Sequence, residues 1–367
     1  MNILMISNEY PPSIGGVQTH VFELSRSLVA LGHTVQVVTR KKSQDSPAHE
    51  IQDGVTIHRI SLPKSHWLYD QILFRKLKRQ IRDHNIDLIH VHGTRPLNAC
   101  RKLHVPVIFT NHTSSFLKRL KKGNRARKKM SRQLDAVAHV IAPSRDRAEA
   151  TLQAGFRGPL TEITNGVDLE RFSPGQSICR EKLQLPENAF LALFSGRLHP
   201  IKGIKYLAEA LEQLDLEELH LLVAGSGPEK STLSNAFHRI GRTNQVHFLG
   251  SVPNSSIPDV YRAADLLLLP SLEEATSISG LEAMACGLPI LGSDVGGIPA
   301  LVEDGVTGRL VPKGNAQAIA STLLEMIKHP DECQLMGSKG RIKAEREFSW
   351  SSVAKKTESV YLRVISG

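Results

Sequence analysis

Short apolar, β-branched runs alternate along the chain with longer segments whose apolar residues return every three or four positions. In the first half the short runs are 2–7 (NILMIS), 34–39 (TVQVVT), 55–60 (VTIHRI), 87–91 (DLIHV), 105–110 (VPVIFT) and 137–142 (VAHVIA). Their length and Val/Ile content predict buried strands. Between the first two, Val17, Val21, Leu24, Leu28 and Leu31 recur at helical spacing, and Gly32 supplies a stop. Strand, helix, strand in this rhythm predicts right-handed βαβ units and a parallel sheet. The rhythm restarts at 189–195 and continues at 219–224, 245–249, 265–269 and 289–292. Two successive series predict an α/β protein of two Rossmann-like domains facing across a cleft. The expected domains are 1–165 and 166–348, joined near the turn-rich stretch 163–175. The final segment, 349–367, reads as a helix that packs back on the first domain.

A chain of 367 residues suits two such domains, each large enough for a full core. At 41% hydrophobic and 22% charged it has an ordinary soluble balance. No apolar run approaches about 18 residues, so no transmembrane helix is expected. The opening residues form too short an apolar run for a signal peptide and lack a basic leader, so the expected location is the cytoplasm. Cys100, Cys179, Cys286 and Cys333 are scattered without a CxxC spacing, which fits free thiols rather than a zinc cluster.

The net charge of +10 changes this picture, because it is concentrated. Residues 118–132 hold nine Lys/Arg and no acid, and a second basic cluster covers 74–82. A solvated face, an anionic membrane surface and nucleic acid are the three readings of such runs. The long run has no interleaved aromatics and no nucleic-acid module accompanies it, which sets nucleic acid aside. Trp67, Leu68, Tyr69, Ile72, Leu73 and Phe74 lie beside the second cluster. Apolar bulk next to cations suits docking at a membrane surface, and packed core plus solvated lysines is the alternative.

In open α/β sheets ligands bind beyond the carboxyl ends of the strands, so motifs that follow strands are where chemistry is sought. After the first strand, Gly15 and Gly16 immediately precede a helix. They either let backbone N–H groups approach a phosphate or form a simple turn. After the first strand of the second series come Arg197 and Lys202, two cations suited to a diphosphate. The stretch 224–233 (AGSGPEKSTL) also runs from strand to glycines to helix, but it lacks the lysine and serine of a Walker loop and reads as a tight turn. Glu274 falls in a loop and Glu282, eight residues on, in a helix. That spacing excludes a close acid–base pair and lets the two reach opposite parts of one elongated ligand. A carboxylate accepts two hydrogen bonds from a vicinal diol, which ribose and hexose both offer. Between them, Thr276 to Ser279 form a helix start with free N–H groups. His92 and His112 each follow a strand, where a structural and a catalytic role are both open.

Taken in order, NEYPPSIGGVQTHVFELSRSLVALGHTVQVVT, TNHTSS, NGVDLERFSP, SGRLHPIKG, AGSGP and PSLEEATSISGLEAMACGLPILGSDVGGIPALVEDGVTGRLVP resemble the GT-B glycosyltransferases. The resemblance is to the retaining nucleotide-sugar enzymes of family four, the glycosyl transferases group 1. It covers nearly the whole chain and implies transfer of a hexose-type sugar from a nucleoside diphosphate, UDP or GDP, to an acceptor hydroxyl. The implied acceptors are cell-envelope, lipid-linked or exopolysaccharide glycans. The resemblance brings Gly16, with Gly15, to the donor diphosphate and gives Arg197 and Lys202 its neutralisation. It gives Glu274 the transferred sugar's hydroxyls, Glu282 the ribose diol and His112 the sugar near the reacting centre. It places the base near Val252, and Ala275, Thr276, Ser277 and Ile278 along the donor.

No D-x-D occurs in the chain, so neither metal nor cofactor is expected. Glu274 is followed by Ala275-Thr276-Ser277 where the family often has Gly-Phe-Gly, which leaves the sugar open. A GT-B relative of other chemistry, a nucleotide-sugar 2-epimerase or a glycan phosphorylase, is the alternative. A nicotinamide dehydrogenase would need GxGxxG and an acid closing the second strand, where this chain has IGGVQTH and Thr39-Arg40-Lys41. The expected anionic membrane contact, at the inner face of the cell membrane, runs through Lys118, Arg119, Lys121, Lys122, Arg125, Arg127, Lys128 and Lys129.

Overall fold

A computed structural model describes residues 1–366 apart from 14, 43–45, 113–115, 117–119, 121–122, 187 and 215. The chain forms two compact units, Met1–Gly166 with Trp350–Gly367, and Val167–Ser349.

The first unit is built on eight strands: β1 Asn2–Ser7, β2 Thr34–Arg40, β3 His49–Gln52, β4 Val55–Ile60, β5 Leu88–His92, β6 Val107–Thr110, β7 His139–Ala142 and β8 Leu160–Glu162. Their order is β3-β4-β2-β1-β5-β6-β7-β8, parallel except for the antiparallel β3–β4 pair. Successive side chains of a strand point to opposite faces, and both faces of this sheet are covered. Ile3 and Met5 of β1 pack with Val21, Leu24 and Leu28 of the helix Gly16–Ala30 and with Trp350, Val353 and Tyr361. Leu4 and Ile6 pack on the other side with Tyr69, Leu73 and Leu77 of the helix His66–His84 and with Met130 and Leu134. An unbroken apolar strand is the result. The helix Trp350–Ser366 packs against the helix Gly16–Ala30. It is tied down by Tyr361 OH, 2.6 Å from His90 Nδ1, and by Glu358 on His33 Nε2 at 2.7 Å.

The second unit is a six-stranded sheet of β9 Phe190–Ser195, β10 Leu219–Ala224, β11 Val246–Gly250, β12 Leu266–Leu269, β13 Ile290–Ser293 and β14 Gly308–Val311. The order β11-β10-β9-β12-β13-β14 is that of a doubly wound sheet. Its order reverses between β9 and β12, and a crevice opens at the carboxyl ends of such neighbouring strands. Strands β3, β8 and β14 have no counterpart among the apolar runs of the sequence reading. Two of them, HEIQ and LTE, carry too few apolar residues to stand out. All four cysteines are buried and free. Among the described residues no helix is long and apolar enough to cross a membrane.

Candidate active site

In the second unit the turns after β9 and β12 are locked together, and that lock places the charged residues. Pro200–Lys202 make one 3-10 turn, whose first exposed N–H, of Ile201, donates to His199 Nδ1 at 3.3 Å. Gly203 then turns left-handed at φ +70°, and a Cβ there would lie 1.8 Å from the Pro270 carbonyl oxygen. Only glycine lets the two backbones come this close. Leu272 N–H donates to Ile201 O at 2.8 Å. Lys202 Nζ consequently meets Glu274 Oε2 at 2.5 Å, and Ser271 Oγ donates to the same oxygen at 3.2 Å. The side chains keep 23% and 10% exposure respectively, so the pair opens to solvent mainly on the lysine side. Arg197 is exposed, and among the described residues its guanidinium makes no hydrogen bond or ion pair.

The loop carrying Ala275 and Thr276 is held by Gly297, whose N–H donates to Glu274 O at 3.0 Å. The helix Ile278–Ala285 follows, capped by Ser277 Oγ accepting from Gly280 N at 3.1 Å. Its first-turn N–H groups and its positive end belong to the same stretch of chain as Glu274. Glu282 lies on this helix among the fully buried Leu281, Ala283, Met284 and Ala285. Tyr261 OH donates to Glu282 Oε2 at 2.7 Å and lies 3.0 Å from Ser195 Oγ. Burial pushes the Glu282 carboxyl up to about 7, with the Tyr261 hydrogen bond and the Arg171 charge opposing. Burial likewise raises the Tyr261 phenol well above its usual range.

Among the described residues Glu274 and Glu282 therefore have separate partners and share none. The stretch 224–233 is a tight turn: a Cβ at Gly225 would lie 1.8 Å from Gly196 O, and one at Gly227 2.2 Å from Leu198 O. Val252 follows β11 and packs against the core, beside Ser251, whose Oγ is 3.2 Å from Ser226 Oγ. Sequence reasoning passed over Tyr261, Ser195 and Ser271, which orient the two carboxylates.

In the first unit Gly15 caps the helix Gly16–Ala30 without a side-chain hydrogen bond, and a Cβ there would lie 2.6 Å from Gln18 Oε1. His112 is not a lone histidine. His92 Nδ1 lies 3.2 Å from His112 Nε2, and the His20 ring centroid is 4.4 Å from that of His112. His20 Nδ1 lies 2.9 Å from Asn165 Oδ1. The His90 ring centroid lies 4.1 Å from that of His92, the two rings tilted by 42°. Burial lowers His20 to about 4 and holds His90, His92 and His112 well below the usual histidine range. All four are neutral at neutral pH. His20 and His90 were missed; His20 sits one residue before Val21 on the helix's apolar stripe, where a polar residue is a signal.

The basic segment is a helix, Asn124–Leu134, on which Arg125, Arg127, Lys128 and Lys129 are exposed. Lys118, Arg119, Lys121 and Lys122 lie outside the described residues. Trp67 is 68% exposed on the helix His66–His84 and Leu68 and Ile72 are exposed too, whereas Tyr69 and Leu73 belong to the core.

The model of Glycosyltransferase Family 4 matches residues 14–171, and that of Glycosyl transferases group 1 matches residues 176–343. The D-inositol 3-phosphate glycosyltransferase of Kribbella flavida is 30% identical over 95% of this chain and 90% of its own. The chain belongs to the family 4, group 1 glycosyltransferases. Two solved structures agree with the glycosyltransferase in fold. Sucrose-phosphate synthase from Thermosynechococcus elongatus has a TM-score of 0.80 at 24% identity, covering 100% of this chain and 99% of that one. Anabaena HepE, in complex with UDP and glucose and in complex with UDP-glucose, has a TM-score of 0.76 at 22% identity, covering 99% of this chain and 100% of that one. The two parallel-sheet α/β units of this glycosyltransferase are those of the GT-B fold.

Proposed function

We propose that the glycosyltransferase moves a hexose from a nucleoside-diphosphate sugar, UDP-type first, to an acceptor hydroxyl with retention and without a metal ion. The observation that carries this is the pair of carboxylate arrangements beyond β9 and β12: Glu274 on Lys202, and Glu282 on Tyr261. Lys202 and Arg197, whose guanidinium makes no ion pair among the described residues, would balance a diphosphate's charge, and the amide N–H groups at the start of the helix Ile278–Ala285 would add to it. Glu274 accepts hydroxyls of the transferred sugar and Glu282 the ribose diol, with Val252 beside the base. Ala275, Thr276, Ser277 and Ile278 shape the wall along the sugar and diphosphate. In the first unit, Gly15 and Gly16 keep the diphosphate and His112 the sugar, the roles that family resemblance gives them.

In the reaction the bond from the anomeric carbon to the diphosphate oxygen breaks first. Its electron pair stays on the diphosphate, where Arg197 and Lys202 balance the growing charge. The acceptor hydroxyl attacks the oxocarbenium-like carbon on the same face and passes its proton to the departing phosphate. HepE's complexes with UDP and UDP-glucose support a uridine donor. For the acceptor we propose a cell-envelope, lipid-linked or exopolysaccharide glycan. The name of the Kribbella relative supports a second reading, a small phosphorylated polyol.

The test is a panel of UDP- and GDP-sugars assayed with chelator present, with the product anomer read by NMR. Retained configuration in chelator is expected; turnover that needs a divalent ion, or epimerised sugar without acceptor, overturns the proposal. Run between pH 6 and 8, the assay also reads Glu282. Its folded value of about 7 lies above the ordinary 4.5, so protonation favours the fold at low pH, and that contribution is lost as pH rises through about 7. Diol binding needs the ionised form, so the donor KM should fall roughly tenfold from pH 6 to 8. Glu282→Gln should flatten that profile, and unchanged profiles would remove Glu282 from the ribose.

We further propose that the exposed Trp67, Leu68 and Ile72, with the cations of the helix Asn124–Leu134, hold the enzyme at an anionic membrane surface at the inner face of the cell membrane. Flotation with phosphatidylglycerol vesicles at low salt should carry the protein up, and Trp67→Ala should weaken that at least threefold. A protein that stays at the bottom of the gradient ends the membrane reading.

A further inference from the structure

We propose that His20, His92 and His112 form a site for a transition-metal ion of the Zn(II) type inside the first unit. Three different elements supply the imidazoles: the helix Gly16–Ala30, the end of β5 and the residues after β6. One ligand nitrogen of each lies within 4.8 Å of the other two. Zinc–imidazole bonds of about 2.0 Å set tetrahedral nitrogens about 3.3 Å apart. The 3.2 Å between His92 Nδ1 and His112 Nε2 is already one such edge. The third ring has to move by about 1.5 Å at most to complete the face.

The hydrogen bonding around His20 fixes its tautomer. The Asn165 carbonyl oxygen only accepts, so His20 Nδ1 carries the proton and Nε2 presents a lone pair. A ligand histidine whose other N–H donates to a carbonyl is the usual support of a metal site. Trp350 closes one side, its ring centroid 5.5 Å from that of His20.

Three imidazoles select Zn, Co, Ni or Cu over Mg, so this ion is unrelated to a metal on the diphosphate. Three ligands leave a fourth position for water or a substrate oxygen. On binding, the hydrogen between His92 and His112 moves to the outer nitrogen of its ring, a tautomer shift with no net proton release. The bound ion then takes the lone pair of His112, so a filled site should inhibit transfer.

The experiment titrates the metal-free full-length protein with Zn(II) and Co(II) by calorimetry and visible absorption, without nucleotide, so it stands apart from the transferase reading. One ion per chain and the strong visible bands of four-coordinate Co(II) are expected. His20→Asn and His92→Asn should each weaken binding at least tenfold, and Asn165→Ala, which keeps all three ligands, about tenfold. His49→Asn, in the separate His49–His58 pair with Nδ1 atoms 2.8 Å apart, should change nothing. Affinity unaltered by the first three variants, or lost with His49→Asn, overturns the site. In the transferase assay saturating Zn(II) should cut turnover at least fivefold, restored by chelator. Full turnover with the ion bound would remove His112 from the ligands.

Discussion

Lys202→Ala should lower kcat at least about a hundredfold while the fold survives. Charge grows on the diphosphate as the glycosidic bond breaks, and without a divalent ion the protein must supply the compensation. Losing one preorganised donor to such a charge costs about 3 kcal/mol, or roughly a hundredfold or more in rate. The donor's ground-state charge changes less, so KM should move far less than kcat. One competing effect has to be separated. Glu274 is 10% exposed and would lose its cation, leaving a largely buried charge with the Ser271 hydroxyl but no counter-charge from Lys202. Lys202→Ala with Glu274→Gln removes that penalty and should regain melting temperature without regaining turnover. Near-normal kcat in Lys202→Ala at neutral pH sinks the proposed role.

Gly203→Ala should be the most destabilising single change beside the site. A non-glycine residue at φ +70° costs about 1–2 kcal/mol. The added Cβ would also fall 1.8 Å from the Pro270 carbonyl oxygen, which is backbone and has no rotamer to escape into. The turns after β9 and β12 must part. A total of about 3 kcal/mol corresponds to a fall of roughly 6–12 °C in melting temperature for a unit of this size. Because those turns carry Lys202 and Glu274, activity should fall with stability. Gly241→Ala is the matching control: φ is +73° but, its chain neighbours aside, no atom of the described residues lies within 4 Å of its Cβ. It should cost only the backbone term. Equal melting temperatures for the two variants would refute the lock between the turns.

The alternation of apolar runs and amphipathic segments was legible because both sheets are covered on both faces, which makes a parallel strand apolar throughout. Strand β1 shows it: Ile3, Leu4, Met5 and Ile6 are all buried, alternating between two cores. Edge strands such as β3, with His49, Glu50 and Gln52, carry no such signal. At the candidate site, the positions of Arg197, Lys202, Glu274 and Glu282 after strands could be read, since strand ends are visible. Their partners could not. Lys202 meets Glu274 through a left-handed glycine pressed on a proline 67 positions away, and no local pattern encodes that contact. The same holds for His20, His92 and His112, which are unremarkable singly and meet only through the order of β1, β5 and β6.

The first unit is discontinuous in sequence, since Trp350–Gly367 returns to it after Val167–Ser349. During synthesis, residues 1–166 leave the ribosome while the side chains that cover His20 and His90, Trp350 and Tyr361, do not yet exist. The inserted unit is contiguous and can complete its core first. Until the last helix arrives the amino-terminal segment lacks the cover that Trp350 and Tyr361 give, and exposed apolar surface of that kind is what makes a nascent chain prone to aggregate.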